Sequence, residues 1–203
     1  MKRDAAASEA HAPARLDEHA LDNLRYIRRA MENAGSFTTI PGWGGAAIGA
    51  TALVAALAAH RAPTRTGWLA IWVLEGALAL AIAVVAMIIK ARRAGLPLLT
   101  GPGRRFALGL APALVAGAVL TPVFFGVGSQ GRLAGLWLLL YGAGLTAAGT
   151  YSIRVVPVMG ASFMALGVLA LFSPGLPPDL WMAIGFGGLQ LAFGLVIARR
   201  YGG

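Results

Sequence analysis

The sequence predicts an all-α fold: a polytopic membrane helix bundle of six transmembrane helices, preceded by a cytoplasmic amphipathic helix. Three observations carry that prediction. Of the 203 residues, 58% are hydrophobic and 12% charged, whereas soluble domains hold about 45–50% apolar and about 25% charged residues. The apolar residues come in runs that approach or exceed the ~20 residues a helix needs to cross a hydrocarbon core. Lysine and arginine concentrate in alternate connections between those runs, as insertion topology requires.

Residues Met1 to Pro13 are rich in alanine and charge without an apolar period, which predicts a disordered cytoplasmic tail. From Ala14 to Ala34 the pattern changes. Ala20, Leu24, Ile27, Met31 and Ala34 recur at alternating spacings of four and three, which marks one face of a helix. Arg25, Arg28, Arg29 and Glu32 take the other faces. Such a helix is expected to lie on anionic headgroups or the protein's own cytoplasmic face, or against a partner: its twin in a homodimer, or another membrane or cytoplasmic protein. Asn33 to Gly45 forms an entry elbow, in which Gly35 can cap the helix, Pro41 suits the first turn of the next, and Trp43 suits the interface. The long charged stretch ahead of the first apolar run argues against a cleaved secretory signal.

The transmembrane domain is expected over residues 40–200, with spans at about 42–59, 67–89, 106–127, 133–151, 155–172 and 180–198. Pro112 and Pro122 fall inside the third and are expected to kink it or interrupt its hydrogen-bond ladder, since each removes a backbone donor. Only Ser152, Ile153 and Arg154 separate the fourth from the fifth, and a merger of those two would move the C-terminus to the other side.

With the N-terminus inside, the tail holds Lys2, Arg3, Arg15, Arg25, Arg28 and Arg29. The second connection holds Lys90, Arg92, Arg93, Arg104 and Arg105, the fourth holds Arg154, and the end holds Arg199 and Arg200. That places fourteen of the 17 basic residues inside and leaves Arg61, Arg65 and Arg132 outside. Both termini are therefore expected in the cytoplasm. The formal charge of +9 is explained by headgroups and topology, since the basic residues flank apolar runs, and nucleic acid is not an expected partner.

The segments LDNLRYIRRAMENAGSFTTIPGWGG, Leu21 to Gly45, and GFGGLQLAFGLVIARRYGG, Gly185 to Gly203, carry a resemblance. The chain resembles a group of uncharacterised bacterial membrane proteins of about this length. The resemblance implies a bacterial inner-membrane address and no chemistry. The group's pattern favours histidine where this chain has Gln190, which withholds any ligand role from that position.

Glu75 is the strongest single functional candidate. A carboxyl group near the middle of a span costs about 3 kcal/mol, so it is protonated, paired or facing water. Proton coupling, cation binding and a structural hydrogen bond are all compatible with it. Gln190, near the middle of the last span, can donate and accept, and meets Glu75 if the second and sixth helices touch. Tyr141, Thr146, Thr150 and Tyr151 place hydroxyls on the fourth helix, although helical threonine ordinarily bonds the carbonyl one turn back. Arg154, with Arg25, Arg28, Arg29, Arg92 and Arg93, is expected to anchor headgroups. Small residues at spacings of four, Gly45 and Gly49, Gly131 and Gly135, and Gly109, Ala113 and Gly117, predict close helix packing.

Several chemistries lack their residues. Cysteine is absent, which removes disulfides, thiolate metal sites and thiol nucleophiles. His11, His19 and His60 are scattered, so no metal site is expected and no cofactor is implied. Ser162 has no histidine within a span to serve as its base. GFGG at Gly185 to Gly188 lacks the strand and helix context of a phosphate loop. No catalytic residues are assigned. The favoured expectation is a non-catalytic interaction or regulatory membrane module, and the rival a small-solute or proton-coupled carrier using Glu75, with the third helix moving.

Overall fold

The computed structural model describes residues 21–25, 27, 40–94, 102–128, 130–173 and 175–201. The chain divides into two units, Met1–Gly35 and Ser36–Gly203. In the first, Leu21 to Arg25 and Ile27 are helical. Arg25 pairs there with Asp22 at 3.3 Å, one turn back on the helix surface. The remainder of the tail and of the helix expected over Ala14 to Ala34, Arg28 and Arg29 included, lies outside the described residues.

The second unit is helical, with no strand among the described residues. Its elements are α1 (Gly42–His60), α2 (Arg65–Ala94), α3 (Pro102–Gly126), α4 (Gln130–Gly149), α5 (Val155–Phe172) and α6 (Pro178–Tyr201). Five of them, α1, α2, α3, α5 and α6, are long and apolar enough to cross a membrane, so the fold is that of a multi-pass membrane protein. Large apolar side chains on α2, among them Leu74, Leu78, Leu80, Val84 and Val85, point away from the bundle. In water such a surface would be an aggregation liability, whereas in lipid it is the expected exterior.

The helix ends follow from local chemistry. Pro41 precedes α1 and its carbonyl accepts from the Gly45 amide at 3.0 Å, starting the helix. α3 runs through Pro112 and Pro122 as one continuous helix. It stops just short of Gly128, whose φ of 79° is the left-handed conformation that only glycine adopts without steric cost. Between α4 and α5 the amides of Thr150, Tyr151 and Ser152 bond back to Ala147, Ala148 and Gly149, tightening the last turn before the chain reverses. The two helices are thus separate elements.

Packing is antiparallel and built on small residues. α1 crosses α6 with Gly42 against Ala198, Gly45 against Gly194 and Gly49 against Leu191. α3 lies on α4 with Gly109 at Ala148, Ala113 at Gly144 and Gly117 beneath the Trp137 ring. The α4–α5 pair is the most extensive in the bundle. A Cβ on Gly142 would stand 2.6 Å from both the Gly160 carbonyl oxygen and the Met164 amide nitrogen. Two of the three small-residue patterns read from the sequence thus lie at helix contacts. In the third only Gly135 does, against Leu171, since Gly131 has no neighbour within 4 Å.

The bundle has two triplets: α2, α1 and α6 in one, and α3, α4 and α5 in the other. They join where α6 meets α4 and α5. Tyr141, Phe163 and Phe186 pack there with ring centroids 5.0 to 5.5 Å apart. α2 and α3, by contrast, share no extensive contact. They are linked at one end by Arg65, whose guanidinium donates to the Phe125 carbonyl at 2.5 Å and lies 5.0 Å above the Phe125 ring.

Candidate functional site

Two polar sites lie inside the bundle, in opposite halves. In the half holding the end of α1 and the start of α2 and α6, the inward face of α2 presents Trp68, Trp72 and Glu75 at helical spacing. The facing side of α1 is nearly all alanine, with Ala52, Ala55, Ala56 and Ala59 buried, which leaves room for the two indoles. Glu75 is only 8% exposed. Its Oε1 lies 2.8 Å from the Thr51 hydroxyl, which also stands 3.0 Å from the Ile48 carbonyl. Thr51 has one proton and two acceptors in reach. The hydroxyl donates to Glu75 Oε1 and shares its proton with the Ile48 carbonyl. The site therefore holds a buried carboxyl group at a helix interface.

At the nearby helix ends, the Trp68 indole N–H donates to Asp179 Oδ1, and the other carboxylate oxygen of Asp179 lies 3.6 Å from His60 Nδ1. Asp179 stands in the first turn of α6, where a negative charge is favoured by the helix dipole. It thus ties α1, α2 and α6 together. The indole nitrogens of Trp72 and Trp181 are buried without a hydrogen-bond partner.

In the other half, Gln190 is 6% exposed, and its Oε1 accepts from the Tyr141 hydroxyl at 3.3 Å. Immediately before it, Ala183–Leu189 forms a π-helical stretch within α6, a local widening that recurs at functional sites. Tyr141 and Gln190 line a cavity of about 110 Å³ between the two triplets. Its remaining walls are apolar, with Ala83 and Met87 from α2 facing Phe106 and Leu110 from α3.

The sequence candidates are thus divided. Glu75 and Gln190 are both buried but do not pair: Glu75 meets Thr51, and Gln190 meets Tyr141. Thr146 bonds the Gly142 carbonyl at 2.9 Å and Thr150 the Ala147 carbonyl at 2.8 Å, as helical threonines do. Arg92, Arg93 and Arg154 are exposed at helix ends. Sequence reasoning missed Asp179, because the last span was begun at Leu180 and Asp179 therefore counted as a loop residue. It also missed Thr51, which no periodic signal distinguishes from an ordinary helix-lining threonine. The spacing of Trp68, Trp72 and Glu75 was a usable signal, since it sets three large side chains on one face.

Fold and sites define a multi-pass helical membrane protein with two small buried polar sites. No family model, curated protein or solved structure matches the chain.

Proposed function

We propose that this protein is a non-catalytic interaction or regulatory module of the bacterial inner membrane, with six spans and both termini in the cytoplasm. The observation that carries the reading is the closure of Glu75: its carboxyl group is met by Thr51 and lines no part of the cavity. A carrier needs its ionisable group to exchange with water on one side and then the other. A carboxyl fixed between packed helices serves to join α1 to α2.

The sixth span is α4. At 20 residues it is long enough to cross, and it packs between α3 and α5 with Leu133, Ala134, Leu138 and Ala148 almost fully buried. A helix covered by other helices needs less apolar surface than one bathed in lipid, so its glycine-rich composition is compatible with spanning. The distribution of arginine supports the orientation.

The amphipathic segment Ala14 to Ala34 is the proposed contact for a partner protein or a second copy. Capture of crosslinked partners by the full chain and by a variant lacking Ala14 to Ala34 tests this. Loss of assembly or of partners in the variant is expected, and unchanged capture would contradict it. The rival carrier predicts that Glu75→Gln abolishes solute or proton movement in liposomes, whereas the module reading expects no such movement in either form.

A further inference from the structure

The cavity between α2 and α3 lies in the half of the bundle where arginine is concentrated. Ile40 and Pro41, which precede α1, line it, so it extends to that end of the bundle. On α6 its wall runs from Ile197 to Gln190, seven residues or about 10 Å of helix. A short segment of a slender apolar chain fits this shape. The volume of about 110 Å³ is well below the roughly 300–1,000 Å³ of pockets that enclose a whole drug-sized ligand. Among the described residues the polar side chains in the wall are Tyr141 and Gln190, which bond to each other.

Charge surrounds this apolar wall on several helices. Phe106 follows Arg104 and Arg105 directly, Val156 lies two residues after Arg154, and Ile197 precedes Arg199 and Arg200 by two and three. Arg104, Arg154, Arg199 and Arg200 are exposed. From Ile40 to Gly203 the carboxylate side chains are Glu75 and Asp179 alone, and both belong to the opposite half. For Arg104, Arg154, Arg199 and Arg200 neither carboxylate side chain of residues 40–203 lies in this half, and each is attracted to an anionic membrane surface.

We infer that this cleft takes a segment of one acyl chain of an anionic phospholipid, whose headgroup Arg104, Arg154, Arg199 and Arg200 hold. α2 and α3 do not seal against each other, so the chain enters sideways from the leaflet. The inference rests on the membrane reading above. A protein that cannot be placed in bilayers would defeat that reading, which is a different result from the one that defeats the lipid site.

The test is retention of lipid by the full chain extracted from bilayers of phosphatidylglycerol and phosphatidylcholine with identical acyl chains, counted by native mass spectrometry. One phosphatidylglycerol is expected to be kept in preference to phosphatidylcholine by about tenfold, given several arginines at the headgroup. Replacing Arg104 and Arg200 together with glutamine is expected to remove most of that preference. Ala83→Phe and Leu110→Phe fill the cleft from facing walls, and each is expected to lose the retained lipid. If one of them fails to elute as the wild type does, the other decides. Equal retention of the two lipids, or retention unchanged by cleft filling, would overturn the site. The latter result would mean surface attraction only, or a cleft occupied by the chain's own N-terminal residues.

Discussion

The Thr51 hydroxyl and the Glu75 carboxyl group meet at 2.8 Å between α1 and α2. They convert the most costly residue of the transmembrane region into a fastening. A lone carboxyl in a span ordinarily suggests a transport path, but here its partner is a hydroxyl of the neighbouring helix, and it is buried on the same face of α2 as Trp68 and Trp72. In a double-mutant cycle of Thr51→Val and Glu75→Leu, read by reversible unfolding in detergent, the coupling should be about 0.6 kcal/mol and no more than about 1.7 kcal/mol, the average and maximum found for interhelical membrane bonds. Glu75→Gln alone should stay folded, because the amide oxygen still accepts from Thr51.

Asp179 is predicted to matter more than its place beside a loop suggests. Asp179→Leu leaves the buried Trp68 N–H without an acceptor and removes the carboxylate facing His60. The expected loss is about 1–3 kcal/mol, the cost of one orphaned buried donor. Asp179→Asn keeps an oxygen for Trp68 and should lose less than half as much. Thermal unfolding of the two variants in the same detergent checks the order.

Glycine positions should separate sharply by what faces them. A Cβ on Gly160 would stand 2.6 Å from the Thr146 amide nitrogen and 2.7 Å from the Gly142 carbonyl oxygen. Those are backbone atoms of a packed helix and cannot rotate aside. Gly160→Ala should therefore cost about 1–3 kcal/mol by forcing α4 and α5 apart. Gly76 has nothing within 4 Å, so Gly76→Ala should be neutral or gain up to about 1 kcal/mol from helix propensity. Unfolding of both variants under one condition compares them.

Much of the architecture was legible in the sequence because a membrane helix must satisfy its backbone internally and therefore declares itself by length and apolarity. α2 and α6 extend past their expected ends because helix geometry continues into the polar flanks, as Lys90 to Arg93 and Asp179 show. α4 illustrates the reverse: Gln130 and Arg132 in its first turn, with its glycines, lower its hydropathy, and it packs between α3 and α5. The pairing of polar groups was not legible, since it depends on which helices touch. Glu75 and Gln190 were both singled out, but α1 and α4 supply their partners, and nothing in linear spacing identifies Thr51 or Tyr141 as the residue opposite. The cavity was likewise hidden, being made by six helices that each contribute a few ordinary apolar residues.

Whether α4 crosses the membrane decides the topology, and the absence of cysteine from the chain makes the measurement direct. Single cysteines at Thr64, Arg93, Val127, Thr150, Gly175 and Tyr201 can be labelled in intact cells with an impermeant thiol reagent, then again after permeabilisation. Six spans with the N-terminus inside predict labelling from outside at Thr64, Val127 and Gly175, and only after permeabilisation at Arg93, Thr150 and Tyr201. Labelling of Val127 and Thr150 from the same side would mean that α4 does not span, and would contradict the six-helix account.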